Sequence, residues 1–229
     1  MARIVKEEEY AEKRNQILDV TKRLIYTSGY EQMSIQDILD ELQISKGAFY
    51  HYFSSKQALL EALIERMMLE AEKVLIPIVQ DPDLPALEKF QRFFDAISRW
   101  KTDRKRIILG LMQSWYSDDN AIVRQKTSAA GLKWFAPMLT TIICQGVQEG
   151  VITTPYPEQV SGVIMGLMYG LGDAIAESFL PNGLNHDSLQ RIDLTTLEVY
   201  TDALERILGV PEHSIEFMNP EVLKEWEIS

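Results

Sequence analysis

The sequence has little cysteine and little positive charge. Cys144 is the single cysteine among 229 residues, so no internal disulfide and no cysteine-based metal site is expected. The three histidines are scattered along the chain, which also argues against a metal site. Lys and Arg number 23 against 34 Asp and Glu, a net charge of −11. This balance excludes a protein that coats nucleic acid through bulk charge, but not one with a local DNA contact.

Long apolar runs and alternating strand patterns are also missing. The uncharged stretch from Gln159 to Gly172 covers 14 residues and holds four glycines, short of the ~18 apolar residues that a membrane span needs. The first ten residues turn acidic without an apolar stretch, unlike a secretion signal. We therefore expect a cytoplasmic protein that does not enter the membrane. Since no segment alternates apolar and polar residues for long, the predicted fold is all-α.

Signatures of catalysis are absent as well. The sequence contains no nucleophile elbow, no phosphate-binding loop and no glycine-rich dinucleotide fingerprint. We expect no cofactor and no enzymatic activity.

Apolar residues recur at helical spacing along nearly the whole chain. Ile17, Leu18 and Ile25 share one face of a first helix that Gly29 is placed to end, and residues 35–42 form a short amphipathic helix. A longer helix is predicted from Ser54 to a loop marked by Pro77, Pro82 and Pro85. Further helices are predicted over 87–100, 105–116, 120–149 (kinked or split at Pro137), 157–180 and, after a loop at 181–186, 190–208.

Three start signals crowd into residues 10–56. Ser34 opens a Ser-x-x-Asp cap, Ser45 is placed to cap a second short helix, and Ser54-Ser-Lys-Gln57 fits a capping box for the longer helix. A turn of about three residues separates the first two helices, because only residues 43 and 44 precede the cap at Ser45. This layout is typical of a helix-turn-helix, whose second helix enters the major groove of DNA.

The local charge agrees with a DNA contact. No Asp or Glu occurs from Leu42 to Leu60, so phosphates would meet no like charge there. Lys46 lies at a helix N-terminus, where exposed amides favour an anion, and Gly47 lets the backbone approach a base pair. Phe49 and Phe53 are expected to point into a small core. Aromatic residues at such spacing are more often core than contact, but here caps and charge favour DNA binding.

The segment Ile44-Ser-Lys-Gly-Ala-Phe-Tyr-His-Tyr-Phe-Ser-Ser-Lys-Gln-Ala-Leu-Leu60 resembles the signature of the tetracycline-repressor (TetR) family of bacterial transcription regulators. Gly29-Tyr30, Ser34-Ile35 and Ile38 also match the family's pattern, and the resemblance covers about residues 10–60. It implies a DNA-binding domain over residues 1–56 and a helical ligand-binding and dimerisation domain over 57–229. The implied phosphate contacts are Ser34, Tyr50, His51 and Lys56, the implied base contacts are Ser45, Lys46, Gly47 and Ala48, and Tyr52 could take either role.

Glycines are concentrated in one later helix. Gly162, Gly166 and Gly170 are spaced by four, so one helix face is nearly free of side chains and a partner helix can pack closely. The partner helix lies either within the same chain or, as the family resemblance favours, in a symmetric homodimer. For the homodimer, the interface residues predicted on the last helix are Leu204, Ile207 and Leu208. A twofold pair reads two half-sites of a palindromic operator about 34–36 Å apart.

Aromatic and methionine residues gather in the middle helices. Most of them are expected to be core, but together they suit a pocket for an apolar or aromatic small molecule. The predicted pocket residues are Phe94, Met112, Trp115, Trp134, Met138, Met165 and Tyr169.

The sequence thus predicts a ligand-responsive transcription regulator, a repressor that an unknown small effector releases from double-stranded operator DNA. The alternative is a helical DNA-binding protein without an effector, whose middle aromatics are only core. A helical enzyme is disfavoured because no acid/base or metal constellation stands out.

Overall fold

The computed structural model describes residues 2–177, 194–216 and 225–226 of the chain. These residues form α-helices and contain no strand, which confirms the predicted all-α fold. The helices are α1 (Ala2–Ser28), α2 (Ile35–Leu42), α3 (Lys46–Tyr52), α4 (Lys56–Gln80), α5 (Ala86–Thr102), α6 (Lys105–Trp115), α7 (Ala121–Gln148), α8 (Val160–Glu177) and α9 (Leu194–Leu208), with a 3₁₀ turn at Asp118–Asn120 before α7.

The first helix ends at the predicted glycine. Gly29 follows α1 with φ +80°, and its N–H donates to the carbonyl of Ile25 over 2.9 Å. A left-handed backbone of this kind favours glycine. The later predicted helices agree with α5 to α9 to within a few residues. The predicted loop at 181–186, the outer ends of the flanking predicted helices and most of the tail beyond residue 216 lie outside the described residues.

Among the residues that the structure describes, Pro77 and Pro137 lie inside helices. The prediction of a loop at Pro77 is wrong, because α4 continues to Gln80 and only Pro82 and Pro85 lie in the loop that follows. Likewise α7 runs through Pro137 without being split. A proline costs one backbone hydrogen bond, and here buried neighbours offset that cost. Leu75 and Val79 are buried beside Pro77, and Leu139 is buried beside Pro137.

The first compact unit comprises Met1–Met68 and Arg106–Thr127. Its core joins α1 to the two short helices through side chains such as Leu18, Ile38 and Phe49, each fully buried. Helix α6 approaches the end of α1 closely. The N–H of Tyr30 donates to the carbonyl of Gly110 over 3.1 Å, and a Cβ at Gly110 would lie 2.9 Å from the carbonyl oxygen of Ile25. Residue 110 therefore has to be glycine for this backbone contact to form.

The second compact unit comprises Leu69–Lys105 and Ser128–Ser229. Its core is built by α5, α7, α8, α9 and the end of α4, and it is rich in aromatic and branched side chains. The rings of Phe90 and Phe93 each contact the ring of Phe94 at steep angles along α5. Ile142, Leu204 and Leu208 are almost completely buried. These units are groups of residues in mutual contact, and the division into functional domains at residues 56 and 57 stays a prediction.

Candidate DNA-binding site

Helix α2 begins at the predicted cap. The Ser34 hydroxyl accepts a hydrogen bond from the N–H of Asp37 over 3.2 Å, and the Asp37 carboxylate accepts from the N–H of Ser34 over 2.7 Å. The Ser34 hydroxyl also donates to Asp37 over 2.8 Å. These bonds lower the pKa of Asp37, chiefly through the Ser34 N–H and then through its hydroxyl. A phosphate contact by Ser34 would have to replace the bond from its hydroxyl to Asp37.

The turn between α2 and α3 is as short as the spacing predicts. Gln43 adopts a left-handed backbone (φ 53°, ψ 43°) and ends α2, donating its N–H to the carbonyl of Leu39. Its side-chain amide donates to the carbonyl of Asp40 over 2.6 Å. Ser45 then caps α3, with its hydroxyl accepting from the N–H of Ala48 over 3.2 Å. Both short helices are therefore fixed at the ends that face each other.

Helix α3 has one buried and one exposed side. Phe49 and Phe53 are buried, as predicted, with ring centroids 6.0 Å apart. The candidate base contacts Ser45, Lys46 and Gly47 are exposed, and Ala48 is half-buried. The candidate phosphate contacts Tyr50 and His51 are also exposed, with Tyr52 half-buried. Because α3 contains no acidic residue, its exposed side offers hydroxyl groups, a lysine and an imidazole to a polyanion.

Lys56 lies at the start of α4 and is partly engaged within the first unit. Its ammonium lies 4.3 Å from the centre of the Tyr30 ring and 3.4 Å from the carbonyl oxygen of Glu31. Partial burial lowers the pKa of Lys56, while the charges of Glu31 and Asp37 oppose that shift. The Tyr30 hydroxyl donates to the carbonyl of Lys56 over 3.2 Å. A phosphate bound by Lys56 would lie beside this junction.

The predicted capping box at Ser54 is wrong. The hydroxyl that caps α4 belongs to Ser55, which accepts from the N–H of Ala58 over 3.0 Å. The chain from Phe53 to Ser55 is needed to turn between the helices, so α4 begins one residue later than the sequence pattern indicates. Ser54 remains exposed in that turn.

Sequence reasoning missed one aromatic residue of this site. The ring of Tyr10, on α1, lies 4.8 Å from the ring of Tyr52 and 5.5 Å from that of His51, measured between centroids. Arg14, one turn later, lies 5.2 Å from the ring of Phe53. The spacing of Tyr10, Arg14 and Ile17 at i, i+4 and i+7 was the available signal, because it puts all three on one face of a helix.

The candidate pocket residues fall in both compact units. Met112 and Trp115 lie on α6 in the first unit and are half-buried. In the second unit Phe94 and Met165 belong to the buried core, and Met138 and Tyr169 pack against it. Trp134 is half-buried on α7. The Tyr169 hydroxyl donates to the carbonyl of Ser128 over 3.0 Å, and burial raises the pKa of Tyr169.

The candidate interface residues have different surroundings. A Cβ at Gly170 would lie 2.9 Å from the hydroxyl of Tyr200, so this glycine closes on α9 of the same chain. A Cβ at Gly162 or Gly166 would meet no atom within 4 Å. Leu204 and Leu208 are buried in the core of their own chain, and Ile207 packs against it.

The described residues also bear on metal binding and on membrane insertion. Within the described ranges, no three or more His, Cys, Asp and Glu side chains are grouped to hold a metal ion. None of the helices in those same ranges combines the length and the apolar character that crossing a membrane requires.

Two family models match this chain. The model described as bacterial regulatory proteins of the tetR family matches residues 17–63, which include α2, α3 and the start of α4. A second model, described as a tetracyclin repressor-like C-terminal domain, matches residues 111–174.

Relatives and solved structures agree with these matches. An uncharacterised regulator from Lactococcus lactis is 37% identical over 84 residues, which are 37% of this chain and 43% of that protein. The repressor DhaR of a Mycobacterium species is 24% identical over 139 residues, 61% of this chain and 69% of its own. The matched region is thus less than half of the first relative. The structure of FadR from Bacillus subtilis in complex with stearoyl-CoA has the same fold, with a TM-score of 0.58 and 20% identity, covering 86% of this chain and 98% of FadR.

These relatives are named as transcription regulators, which agrees with the prediction that the chain is not an enzyme. The helix-turn-helix with its two capped helices lies where the family's N-terminal model matches, and the family's C-terminal model matches helices further along the chain. The chain belongs to the TetR family of bacterial transcription regulators.

Proposed function

We propose that this chain is a homodimeric repressor that binds a palindromic operator through α3 and is released by a small apolar or aromatic effector. The exposed side of α3 carries this proposal, because Lys46, Tyr50 and His51 are exposed on a helix without any acidic residue. On the opposite side Phe49 is fully buried and fixes the helix to the core. Bacterial DNA lies in the cytoplasm, so this function would be exercised there.

We assign two kinds of contact to this surface. Ser45, Lys46, Gly47 and Ala48 lie in the first turn of α3 or cap it, which is the part of a recognition helix that reaches base edges. Ser34, Tyr50, His51 and Lys56 would hold phosphates on either side, and Tyr52 takes one of the two roles. Phosphate contacts position a protein on DNA, whereas base contacts select the sequence.

The homodimer would form through α8 and α9. Gly162 and Gly166 leave one face of α8 open, and Val163 and Val199 are 54% and 61% exposed although they are apolar. Burial of such residues against a second copy removes apolar surface from water. Leu204 and Leu208 would support this interface from within the core, and Gly170 would let α8 and α9 lie close together.

The effector would bind in the helical region beyond residues 1–56, the part of the chain that we call the DNA-binding head. The aromatic and methionine side chains of α5, α7 and α8 supply adaptable apolar surface for such a ligand. The fold shared with FadR, whose structure was solved in complex with stearoyl-CoA, supports an effector with an apolar chain. An effector releases DNA only to the extent that it binds the free state more tightly than the DNA-bound state.

The alternative is a DNA-binding protein without an effector. Phe94 is 4% and Met165 is 7% exposed within a packed core, and the Tyr169 hydroxyl already donates to a backbone carbonyl. These observations favour a purely structural role for the aromatic residues. Quenching of the tryptophan emission by added palmitate, together with loss of DNA binding, would support the effector. DNA binding that palmitate and aromatic acids such as salicylate leave unchanged would favour the alternative.

The first experiment is fluorescence anisotropy of the purified protein with labelled DNA from upstream of its own gene, at two salt concentrations. We expect saturable binding that salt weakens and that exceeds binding to random DNA by ~10³ or more. Weak binding that is equal on both DNAs would contradict a repressor of its own operon. Selection of bound sequences from a random DNA pool would then test for an operator elsewhere.

Two variants separate the two kinds of contact. Lys46→Ala is expected to weaken specific binding by about 5- to 150-fold and to relax the preference for operator over random DNA. Tyr50→Ala is expected to weaken binding to all DNA alike. Lys133→Ala removes an exposed lysine of α7 and serves as the control for net charge. Unchanged affinity in both α3 variants would refute this placement of the DNA-binding surface.

A further inference from the structure

Three aromatic rings meet at the end of the recognition helix. The rings of Tyr10, His51 and Tyr52 lie in mutual contact, with centroids 4.8 Å apart for Tyr10 and Tyr52, 5.5 Å for Tyr10 and His51, and 5.1 Å for His51 and Tyr52. Both pairs that involve His51 are close to perpendicular, at 83° and 78°. Such edge-to-face contacts are favourable and fix the mutual orientation of the rings.

The three rings come from two helices. His51 and Tyr52 are consecutive residues in the last turn of α3, whereas Tyr10 lies on α1, 41 residues earlier in the chain. Consecutive residues of a helix point about 100° apart, yet the Tyr10 ring contacts both His51 and Tyr52. Tyr10 thereby ties α1 to the end of α3.

The register of α1 against α3 is maintained by further contacts. Arg14, one turn after Tyr10, lies over the ring of Phe53, and Ile17, one turn later still, is buried in the core. One face of α1 thus follows the chain from His51 to Phe53. Tyr10 is the outermost member of this face and remains 38% exposed.

We propose that Tyr10 is a positioning residue for DNA binding, whose ring sets the orientation of the His51 and Tyr52 side chains. This inference rests on the proposed function, in which His51 and Tyr52 contact DNA. The last turn of α3 has no acidic residue to hold the His51 or Tyr52 side chain by charge. The ring contacts of Tyr10 restrain both side chains instead. Side chains ordered before binding lose less conformational entropy on the DNA, which raises affinity without a new contact.

The test is a double-mutant cycle in the anisotropy assay. Tyr10→Ala is expected to weaken operator binding about three- to tenfold, because it removes two ring contacts. Tyr10→Phe keeps both ring contacts and is expected to bind like the wild type. Combined with Tyr52→Ala, the Tyr10→Ala substitution is expected to cost less than it does alone, because the part of its effect that passes through Tyr52 is already lost.

A matched control lies on the same helix. Tyr26 is 45% exposed on α1, and its ring contacts Arg106 of α6 rather than α3. Tyr26→Ala is expected to leave DNA affinity within twofold of the wild type. The free energy of unfolding of every variant, measured in urea at the assay temperature, checks that each variant is fully folded in the binding assay. A loss of affinity through unfolding is thereby separated from positioning.

A readout without DNA reports the rings directly. In proton NMR the Cε1–H resonance of His51, assigned with His51→Gln, is shifted by the ring current of Tyr10. We expect Tyr10→Ala to move this resonance and Tyr26→Ala to leave it in place. An unmoved resonance in Tyr10→Ala would overturn the proposal whatever the DNA does.

The remaining outcomes are decisive as well. Wild-type affinity in Tyr10→Ala would refute the positioning role while leaving the proposed function intact. Equal losses in Tyr10→Phe and Tyr10→Ala would assign the effect to the hydroxyl group and overturn a role of the ring. Full additivity of Tyr10→Ala with both Tyr52→Ala and His51→Ala would also overturn it. Absence of sequence-specific binding by the wild type would instead remove the proposed function itself.

Discussion

The exposed faces of α3 and α8 are built in opposite ways. Helix α3 exposes the side chains of Lys46, Tyr50 and His51, and two phenylalanines are buried on the opposite side. The exposed face of α8 has no side chains at Gly162 and Gly166, and the space beyond its backbone is open there. A polyanion requires the first kind of surface, and close approach of another helix requires the second. The two faces should therefore respond to different substitutions.

The largest effect is expected from removing the Phe49 side chain, which fixes α3 to the core. Phe49 is fully buried, and truncation of a buried phenylalanine typically costs about 3–5 kcal/mol. We expect Phe49→Ala to lower the free energy of unfolding by this amount in urea titration and to abolish operator binding. Phe135→Ala, on the half-buried part of α7 in the second unit, is the control and should leave DNA affinity of the folded protein unchanged. Full operator binding by Phe49→Ala would contradict the anchoring role.

A side chain on the bare face of α8 should act on assembly alone. We expect Gly166→Leu to raise the dissociation constant of the dimer at least tenfold, about 1.4 kcal/mol, in sedimentation analysis. The fold should tolerate it, because a Cβ at Gly166 meets no atom within 4 Å.

Gly172→Leu is the matched control for the α8 face. A Cβ at Gly172 likewise meets no atom within 4 Å, but Gly172 lies about 120° around the helix from Gly166. An unchanged dimer in Gly166→Leu, or equal dissociation in both variants, would place the interface elsewhere.

The cap of α2 tests how firmly the head is held. We expect Ser34→Ala to lower the free energy of unfolding by about 1 kcal/mol at neutral pH, as loss of an N-cap usually does. The bonds from Ser34 hold the pKa of Asp37 below its ordinary value of 3.8, so their stabilisation is present above that pH and is lost as the pH falls below it. Ser34→Ala keeps the backbone N–H and removes only the hydroxyl bond to Asp37, so the difference in free energy of unfolding between wild type and Ser34→Ala should shrink on acidification. A difference that grows toward low pH would contradict the cap.

The smallest expected effect concerns the turn. Gln43 has φ 53°, a conformation in which glycine avoids the steric cost of a Cβ. We expect Gln43→Gly to stabilise the protein by ~0.5 kcal/mol, since the lost bond from its amide to Asp40 offsets part of the gain. Gln36→Gly, inside α2, should instead destabilise by about 1 kcal/mol. Equal signs for the two substitutions in thermal unfolding would rule out backbone strain at Gln43.

Residue chemistry explains why the head was the more predictable region. Ser34, Ser45 and Gly29 have few roles at a helix end, so their positions predicted the caps correctly. A proline has several roles, and the predicted loop at Pro77 is wrong because buried Leu75 and Val79 keep α4 intact around it. Ser54 and Ser55 are chemically equivalent, and only the geometry of the turn selects Ser55 as the cap.

The second unit is harder to predict from the sequence, because apolar residues occur in a core, in a ligand pocket and in an interface alike. Leu204 and Val199 lie on the same helix, yet one is buried and the other is 61% exposed. The spacing of the glycines does not distinguish Gly170, where a Cβ would lie 2.9 Å from Tyr200 of the same chain, from Gly166, where a Cβ would meet no atom within 4 Å. The ring contacts of Tyr10 are hard to predict because its partners, His51 and Tyr52, are distant in sequence and meet it only after α1 packs on α3.

The first compact unit is discontinuous, and this has a consequence for protein synthesis. Its segments, Met1–Met68 and Arg106–Thr127, are separated by the 37 residues 69–105. At about 5–20 residues per second, a ribosome needs roughly 3–12 s to reach Thr127 after Met68 has been added. During that interval the face of α1 around Ile25 lacks α6 and its glycine at residue 110. The helix-turn-helix is thus made early, but its unit is completed only when more than half of the chain exists.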